Sequence, residues 1–201
     1  MRFSRQFYRR DACTLAKDLL GRRLVRLEAG QRISGLIVEV EAYLGIPDLA
    51  AHTAGGRRTA RNESMYMDGG HLYVYFTYGM HYCMNIVAGM VDDPVAVLIR
   101  AIEPTEGLTL MKTRRVKAKR DIDLCSGPAK TCQALGIDRQ FNGIDLTAED
   151  SPVFIEPAGD NRTQIASQIV SGPRIGVGYA KEWADRPLRF YLRDNPYTSK
   201  P

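Results

Sequence analysis

The alternation of apolar and polar positions along the chain changes period several times, and each change marks an expected element. Over residues 11–21, Leu15, Leu19 and Leu20 share one helical face and Gly21 stands at a C-cap position, which predicts an amphipathic helix. Two short strands follow at 23–28 and 33–43, separated by the turn-like Ala29-Gly30-Gln31. Residues 44–70 read as loop, punctuated by Gly45, Pro47, Gly55-Gly56 and Asp68-Gly69-Gly70. The strongest strand signal is 71–78, turning at Gly79 into a strand at 82–88, and 95–102 is a near-continuous apolar strand. A helix over 105–122 is predicted next, then one that starts at Ser126-Gly127-Pro128 and stops at Gly136. Short strands at 153–156, 174–178 and 188–192 complete the reading. Strands joined by tight turns, with helices interspersed irregularly, predict the α+β class. The expected form is a single domain over 1–201 with a curved, mainly antiparallel, open-barrel-like sheet surrounded by helices.

Two strands carry chemistry on one face. Period two puts Val38, Val40 and Ala42 on one side and Glu39, Glu41 and Tyr43 on the other. In the 71–78 strand, Leu72, Val74 and Phe76 oppose Tyr73, Tyr75 and Thr77. A solvated outer face explains the polar sides as well as a site does. What favours a site is carboxylates beside several tyrosines, a set that suits a purine. Flat rings such as Tyr43 and Tyr75 can stack on a heterocycle, each stack being worth on the order of 1–3 kcal/mol. A cationic base gains a cation–π attraction in addition, and a carboxylate near the sugar can deprotonate water and stabilise an oxocarbenium ion. The pattern leaves both Glu39 and Glu41 as candidates. Thr77-Tyr78-Gly79-Met80-His81 puts a bulky aromatic on a turn, which fits a wedge between base steps or a side chain packed on its own hairpin.

Composition narrows the setting. A net charge of +5 on 201 residues is moderately basic and compatible with a nucleic-acid partner without requiring one. No apolar run is long enough for a membrane span or a signal peptide, so an intracellular, cytoplasmic location is expected. Cys13, Cys83, Cys125 and Cys132 form no C-x-x-C pair, so they read as reduced thiols, mostly buried, and neither metal nor cofactor is expected. Arg57, Arg58 and Arg61 lie in a Gly-containing loop and are candidate phosphate contacts, as is the basic run 112–120, which reads equally as a solvated helix face. His52 opens that loop and can line the same pocket as Glu41 or serve the fold. Arg174-Ile175-Gly176-Val177-Gly178 is similar to a G-V-G hairpin that grips a DNA phosphate, but so short a motif is weak and the segment is read as a packing strand.

Taken together, the blocks VEVEAYLGIPDLAAHTAGGRRTARN, LYVYFTYGMHYCMNIV, VLIRAIEP, LCSGPAKTCQALGI and RIGVGYAKEWADRPLRFYL resemble the alkyladenine (3-methyladenine) DNA glycosylase family. The resemblance runs nearly end to end and is weakest in the first ten residues and across 138–170. It implies a monofunctional enzyme that flips 3-methyladenine, 7-methylguanine and related purines such as hypoxanthine and ethenoadenine out of duplex DNA and hydrolyses the N-glycosidic bond without a metal. It assigns Glu41 as the base that activates water, with Arg100 beside it. Tyr43 and His52 become one side of the base slot, Tyr75 the other, and Asn85 the floor. Tyr78 becomes the wedge that replaces the flipped nucleotide, with Met80 nearby against the DNA. The implied partner is double-stranded DNA holding a damaged purine, met by a monomer in the bacterial nucleoid, or in the nucleus of a eukaryote. Two rivals remain at this point: a non-catalytic nucleic-acid binder, and a small-molecule N-glycosidase or formyltransferase-like accessory domain.

Overall fold

A computed structural model describes residues 2–159 and 162–199. Helix α1 (Arg5–Tyr8) precedes α2 (Ala12–Leu19), whose first turn is capped by the Asp11 carboxylate accepting the Thr14 N–H at 2.9 Å. Strands β1 (Arg23–Glu28) and β2 (Gln31–Tyr43) form the first hairpin; β3 (Leu72–Thr77) and β4 (His81–Val87) form the second, and β5 (Ala96–Glu106) lies between β4 and β2. Then come α3 (Leu108–Arg114), α4 (Pro128–Leu135), β6 (Val153–Glu156), α5 (Arg162–Ser167), β7 (Ile169–Gly172) and β8 (Arg189–Leu192). Every pairing is antiparallel, in the order β3-β4-β5-β2-β1-β6, with β8 joining β2 to β7. The sheet does not close. Among the described residues no helix is long and apolar enough to cross a membrane.

The core lies on the face of Val38, Val40, Ala42, Leu72 and Val74, where α2 packs against β2 and β5, and α4 against β4 and β5. Strand β2 is the spine. Its first half pairs with β1, its second half with β8, and β5 runs along its other edge with register shifts at Ser34/Gly35, Ile37/Glu39 and Glu39/Val40. Such bulges sharpen local twist and re-aim side chains. At the first of them the backbones come so close that a Cβ on Gly35 would stand 2.7 Å from the Glu103 carbonyl oxygen.

Two sequence expectations are corrected. The helix expected over 105–122 covers only 108–114: Thr105 and Glu106 stay in β5, where Ser34 and Arg32 bond the Glu106 carboxylate, and Gly107 turns the chain at φ +74°. The basic residues after Arg114 lie outside that helix. No strand forms over 174–178, and a single helical turn with a short strand, α5 and β7, precedes that segment instead. The thiols match expectation, with Cys83, Cys125 and Cys132 buried and Cys13 half-buried, none in a disulfide.

Candidate active site

The polar faces of β2 and β3 are not solvated. Glu39 and Glu41 are fully buried, and Tyr73 nearly so. Glu41 and Tyr73 face a cavity of about 210 Å³ whose walls also include Tyr43, His52, Tyr75, Cys83, Asn85 and Arg100, and which Tyr78 and Tyr179 flank at the surface. That volume is far more than one or two waters need.

Glu41 is held at three points. Its Oε1 accepts the Ile175 N–H at 2.7 Å and lies 3.1 Å from Arg100 Nη1, while Oε2 accepts the Tyr43 hydroxyl at 2.9 Å. A carboxylate offers about four lone-pair directions, so Oε2 keeps one for a further donor such as water. Burial raises the Glu41 pKa, and Arg100, the Ile175 N–H and the Tyr43 hydroxyl oppose it without cancelling it. The result is a carboxylate more basic than a free glutamate and rigidly aimed. Burial, with Glu41 next to it, also pushes the Tyr43 phenol up, which keeps it a donor at neutral pH. Arg100 bridges both acids of β2, with Nε donating to Glu39 Oε1 at 2.9 Å; burial works against its charge, and Glu41 and Glu39 more than restore it. Glu39, on the same strand face, therefore points at Arg100 and Arg189 instead of taking part in the cavity wall.

The aromatic walls are arranged less simply than a two-plate slot. Tyr73 and Tyr75 stack with centroids 5.4 Å apart. His52 meets Tyr75 edge to face at 4.6 Å and bonds the Tyr73 hydroxyl through Nδ1 at 2.8 Å. The His52 and Tyr75 rings are in contact, which leaves no gap for a further ring between them. Burial, helped by Arg61 and Arg57, lowers the His52 pKa to about 4. His52 is thus neutral at pH 7 and presents no charge to a cationic heterocycle. Asn85, on β4, donates to the Tyr73 carbonyl at 3.2 Å and lines the cavity.

The β3–β4 hairpin carries Tyr78 and Met80 outward, 84% and 69% exposed, and Tyr78 flanks the mouth. Tyr78 and Gly79 have φ of +52° and +67°, the sign pattern of a type I′ turn. Glycine takes that conformation freely, but a tyrosine does so at a cost of about 1–2 kcal/mol. An exposed, strained aromatic beside a cavity is a feature that packing does not explain.

The three loop arginines differ. Arg58 is tied to Glu63 and Asp92 at 2.6 and 2.7 Å and lies over the Tyr66 ring, and Arg61 donates to the Phe76 carbonyl at 3.0 Å. Arg57 is exposed, and among the described residues its guanidinium has no protein partner. Of the 112–120 run, Lys112 pairs with Asp121, Arg114 with Glu28 and Arg120 with Asp123, so much of its charge is neutralised within the chain.

Sequence reasoning assigned no chemical role to Asp48, Asn62 or Arg174. Asn62 bonds the His52 and Arg57 carbonyls and the Thr59 N–H, which shapes the loop that presents His52. Arg174 is buried in a two-point ion pair with Asp48, at 2.6 and 2.8 Å, and covers the Tyr43 ring at 4.7 Å. Within 174–178 the Ile175 N–H bonds Glu41 and Gly176 turns the backbone at φ +79°, so the segment is an irregular strap and not a strand. The signal lay in the RIGVG block, but an arginine there gives no warning that it is internal.

Comparison with known proteins places the whole chain in one family. The family model described as methylpurine-DNA glycosylase matches residues 6–196. A putative 3-methyladenine DNA glycosylase of Natranaerobius thermophilus is 42% identical over 200 residues, covering 99% of each chain. Another of Desulfitobacterium hafniense is 45% identical over 205 residues, covering 98% of each. The DNA-3-methyladenine glycosylase of Homo sapiens is 46% identical over 207 residues, 98% of this chain and 68% of the human one. On that span and identity, this chain belongs to the methylpurine-DNA glycosylase family.

Proposed function

We propose that the protein releases alkylated purines from duplex DNA by hydrolysis of the N-glycosidic bond, with Glu41 as general base. The observation that carries the reading is a buried carboxylate, fixed by three donors and with one lone pair open, at the wall of an aromatic cavity beside an exposed tyrosine hairpin. Basic groups such as Arg57 dock on the phosphates. Tyr78 enters the stack, and the damaged nucleotide turns into the cavity at a cost of a few kcal/mol. The base lies against Tyr75 and near Tyr43. A water on Glu41 Oε2 loses its proton to the carboxylate as it attacks the anomeric carbon, and the carboxylate charge favours the oxocarbenium-like transition state. A 3-methyl or 7-methyl purine is already cationic and leaves without further protonation. Asn85 sits where its amide can exclude the 2-amino group of normal guanine. Hypoxanthine and ethenoadenine are neutral, so their release also needs protonation of the leaving base. Incubation with methylated duplex DNA and with duplexes holding one hypoxanthine or ethenoadenine, followed by alkaline cleavage at abasic sites, tests the reading. Release of 3-methyladenine supports it, and intact DNA in every case rejects it.

Two further outcomes are expected. Tyr78→Gly removes both the wedge and the backbone strain, so thermal stability should stay within about 1 kcal/mol of the parent. Excision from duplex should fall more than excision from single strands; equal loss on both, measured side by side, defeats the wedge assignment. The logarithm of duplex affinity should fall with the logarithm of salt concentration, and Arg57→Ala should reduce that slope by about 1. Arg58→Ala, already paired within the chain, should leave it unchanged; a larger change for Arg58→Ala than for Arg57→Ala reverses the assignment.

A further inference from the structure

The guanidinium of Arg100 has a third partner that comes from far along the chain. Residues 195–199 return toward the foot of the site: Asn195 Nδ2 donates to Glu103 at 3.1 Å, and the Tyr197 N–H to Asn195 Oδ1 at 2.9 Å. The Ser199 N–H then donates to Glu39 Oε2 at 2.7 Å, and Arg100 Nη2 donates to Ser199 Oγ at 3.2 Å. Every nitrogen of Arg100 is thereby used, Nε on Glu39, Nη1 on Glu41 and Nη2 on Ser199. Ser199 lies beyond residue 196, where the family match ends.

We propose that Ser199 is a positioning residue of the excision site: its N–H and hydroxyl close the polar shell around Glu39 and Arg100 and fix the guanidinium that orients Glu41. The inference rests on the glycosylase reading for its rate effect. Glu39, Glu41, Arg100 and Arg189 are all nearly or wholly buried, so each depends on its hydrogen bonds in place of water. Glu39 Oε1 is shared by Arg100 and Arg189, and Oε2 is held by the Ser199 N–H. Without that N–H the carboxylate can swing, and Arg100 follows it away from Glu41. A tail that merely anchored the fold would alter stability and leave the chemistry of Glu41 alone.

The test compares Ser199→Pro, which loses both the N–H and the hydroxyl, with Ser199→Ala, which keeps the N–H. Thr198→Ala is the control, because the Thr198 hydroxyl is buried without a hydrogen-bond partner. On methylated duplex DNA, Ser199→Pro should lower the single-turnover rate about 10–100-fold, the range expected for lost hydrogen bonds to charged groups. Affinity for an uncleavable abasic-site analogue should be unchanged. Ser199→Ala should lose less, and Thr198→Ala nothing. Independently of turnover, carboxyl carbon-13 NMR should show Glu41 titrating at higher pH in Ser199→Pro, since Arg100 is its main favourable neighbour among Glu39, Tyr43, Tyr75, Cys83, Arg174 and Tyr179. An unmoved Glu41 titration, or an active parent with an equally active Ser199→Pro, overturns the proposal. A parent that releases no base rejects the glycosylase reading instead, and the NMR arm still decides the role of Ser199.

Discussion

Glu41→Gln should abolish base release, with single-turnover rates down by at least the 10²–10⁴-fold that a positioned general base contributes, while binding to DNA that holds an abasic analogue persists. The isosteric amide still accepts the Ile175 N–H through its oxygen, and the Tyr43 hydroxyl can reverse to accept from its nitrogen, so the cavity keeps its shape. What vanishes is the capacity to take a proton from water. Stability should not suffer at neutral pH. Burial raises the Glu41 pKa in the fold, so its contribution to stability is present below the unfolded value and is lost as pH rises through the folded one. Wherever the carboxylate is ionised it works against folding, and a neutral side chain relieves that. The same shift sets the pH profile of the parent enzyme. Only ionised Glu41 is active, so the acidic limb of the single-turnover rate should lie above the ordinary glutamate range. His52, with its pKa lowered to about 4, is neutral throughout the rising limb and should add no inflection there. Retained turnover in Glu41→Gln removes Glu41 from the chemistry. A limb at or below the pH of a free carboxylate contradicts the desolvated site.

The fold was most legible where period and punctuation agreed. Residues 23–28 and 153–156 form the short strands expected there, and Pro128 and Gly136 bound α4 as a proline start and glycine stop should. The pattern failed where tertiary contacts decide. Thr105 and Glu106 have no local reason to remain extended; the bonds from Ser34 and Arg32 keep Glu106 there. In the site, period two correctly put Glu39, Glu41 and Tyr43 on one face, but the choice between the acids depends on what they meet. Glu41 reaches the cavity because its neighbours there are Tyr43 and the Ile175 N–H, 134 residues away. Glu39 meets two arginines and the Ser199 N–H, from other strands and from the tail. No short window of sequence contains those partners. Charge was equally ambiguous. Arg58 and Arg57 are adjacent and identical in type, yet Glu63 and Asp92 occupy only one of them.

The same distinction makes Asp48→Ala the most damaging single change expected outside the reacting groups. Asp48 and Arg174 bury their charged ends completely and meet at two points. The Asp48 carboxylate also accepts the Leu44 and Ala50 N–H groups, which ties down the loop after β2. Removing it leaves an unpaired guanidinium in the interior, a defect worth about 3–5 kcal/mol. For a chain of this size each kcal/mol moves Tm by roughly 2–4 °C, so calorimetry should show a fall of about 6–20 °C. Ile175 is the residue after Arg174, so turnover should fall as well. A second variant separates the two effects. Asp48→Leu with Arg174→Met replaces the pair with apolar groups, and such exchanges are often neutral or stabilising. Most of the lost Tm should return. Turnover should not, because the Arg174 bond to the Ala42 carbonyl, at 3.0 Å, is also gone, and with it the tether that holds the Ile175 N–H against Glu41. Full recovery of both in the double variant shows that the ion pair serves stability alone, and that the strap finds Glu41 without it.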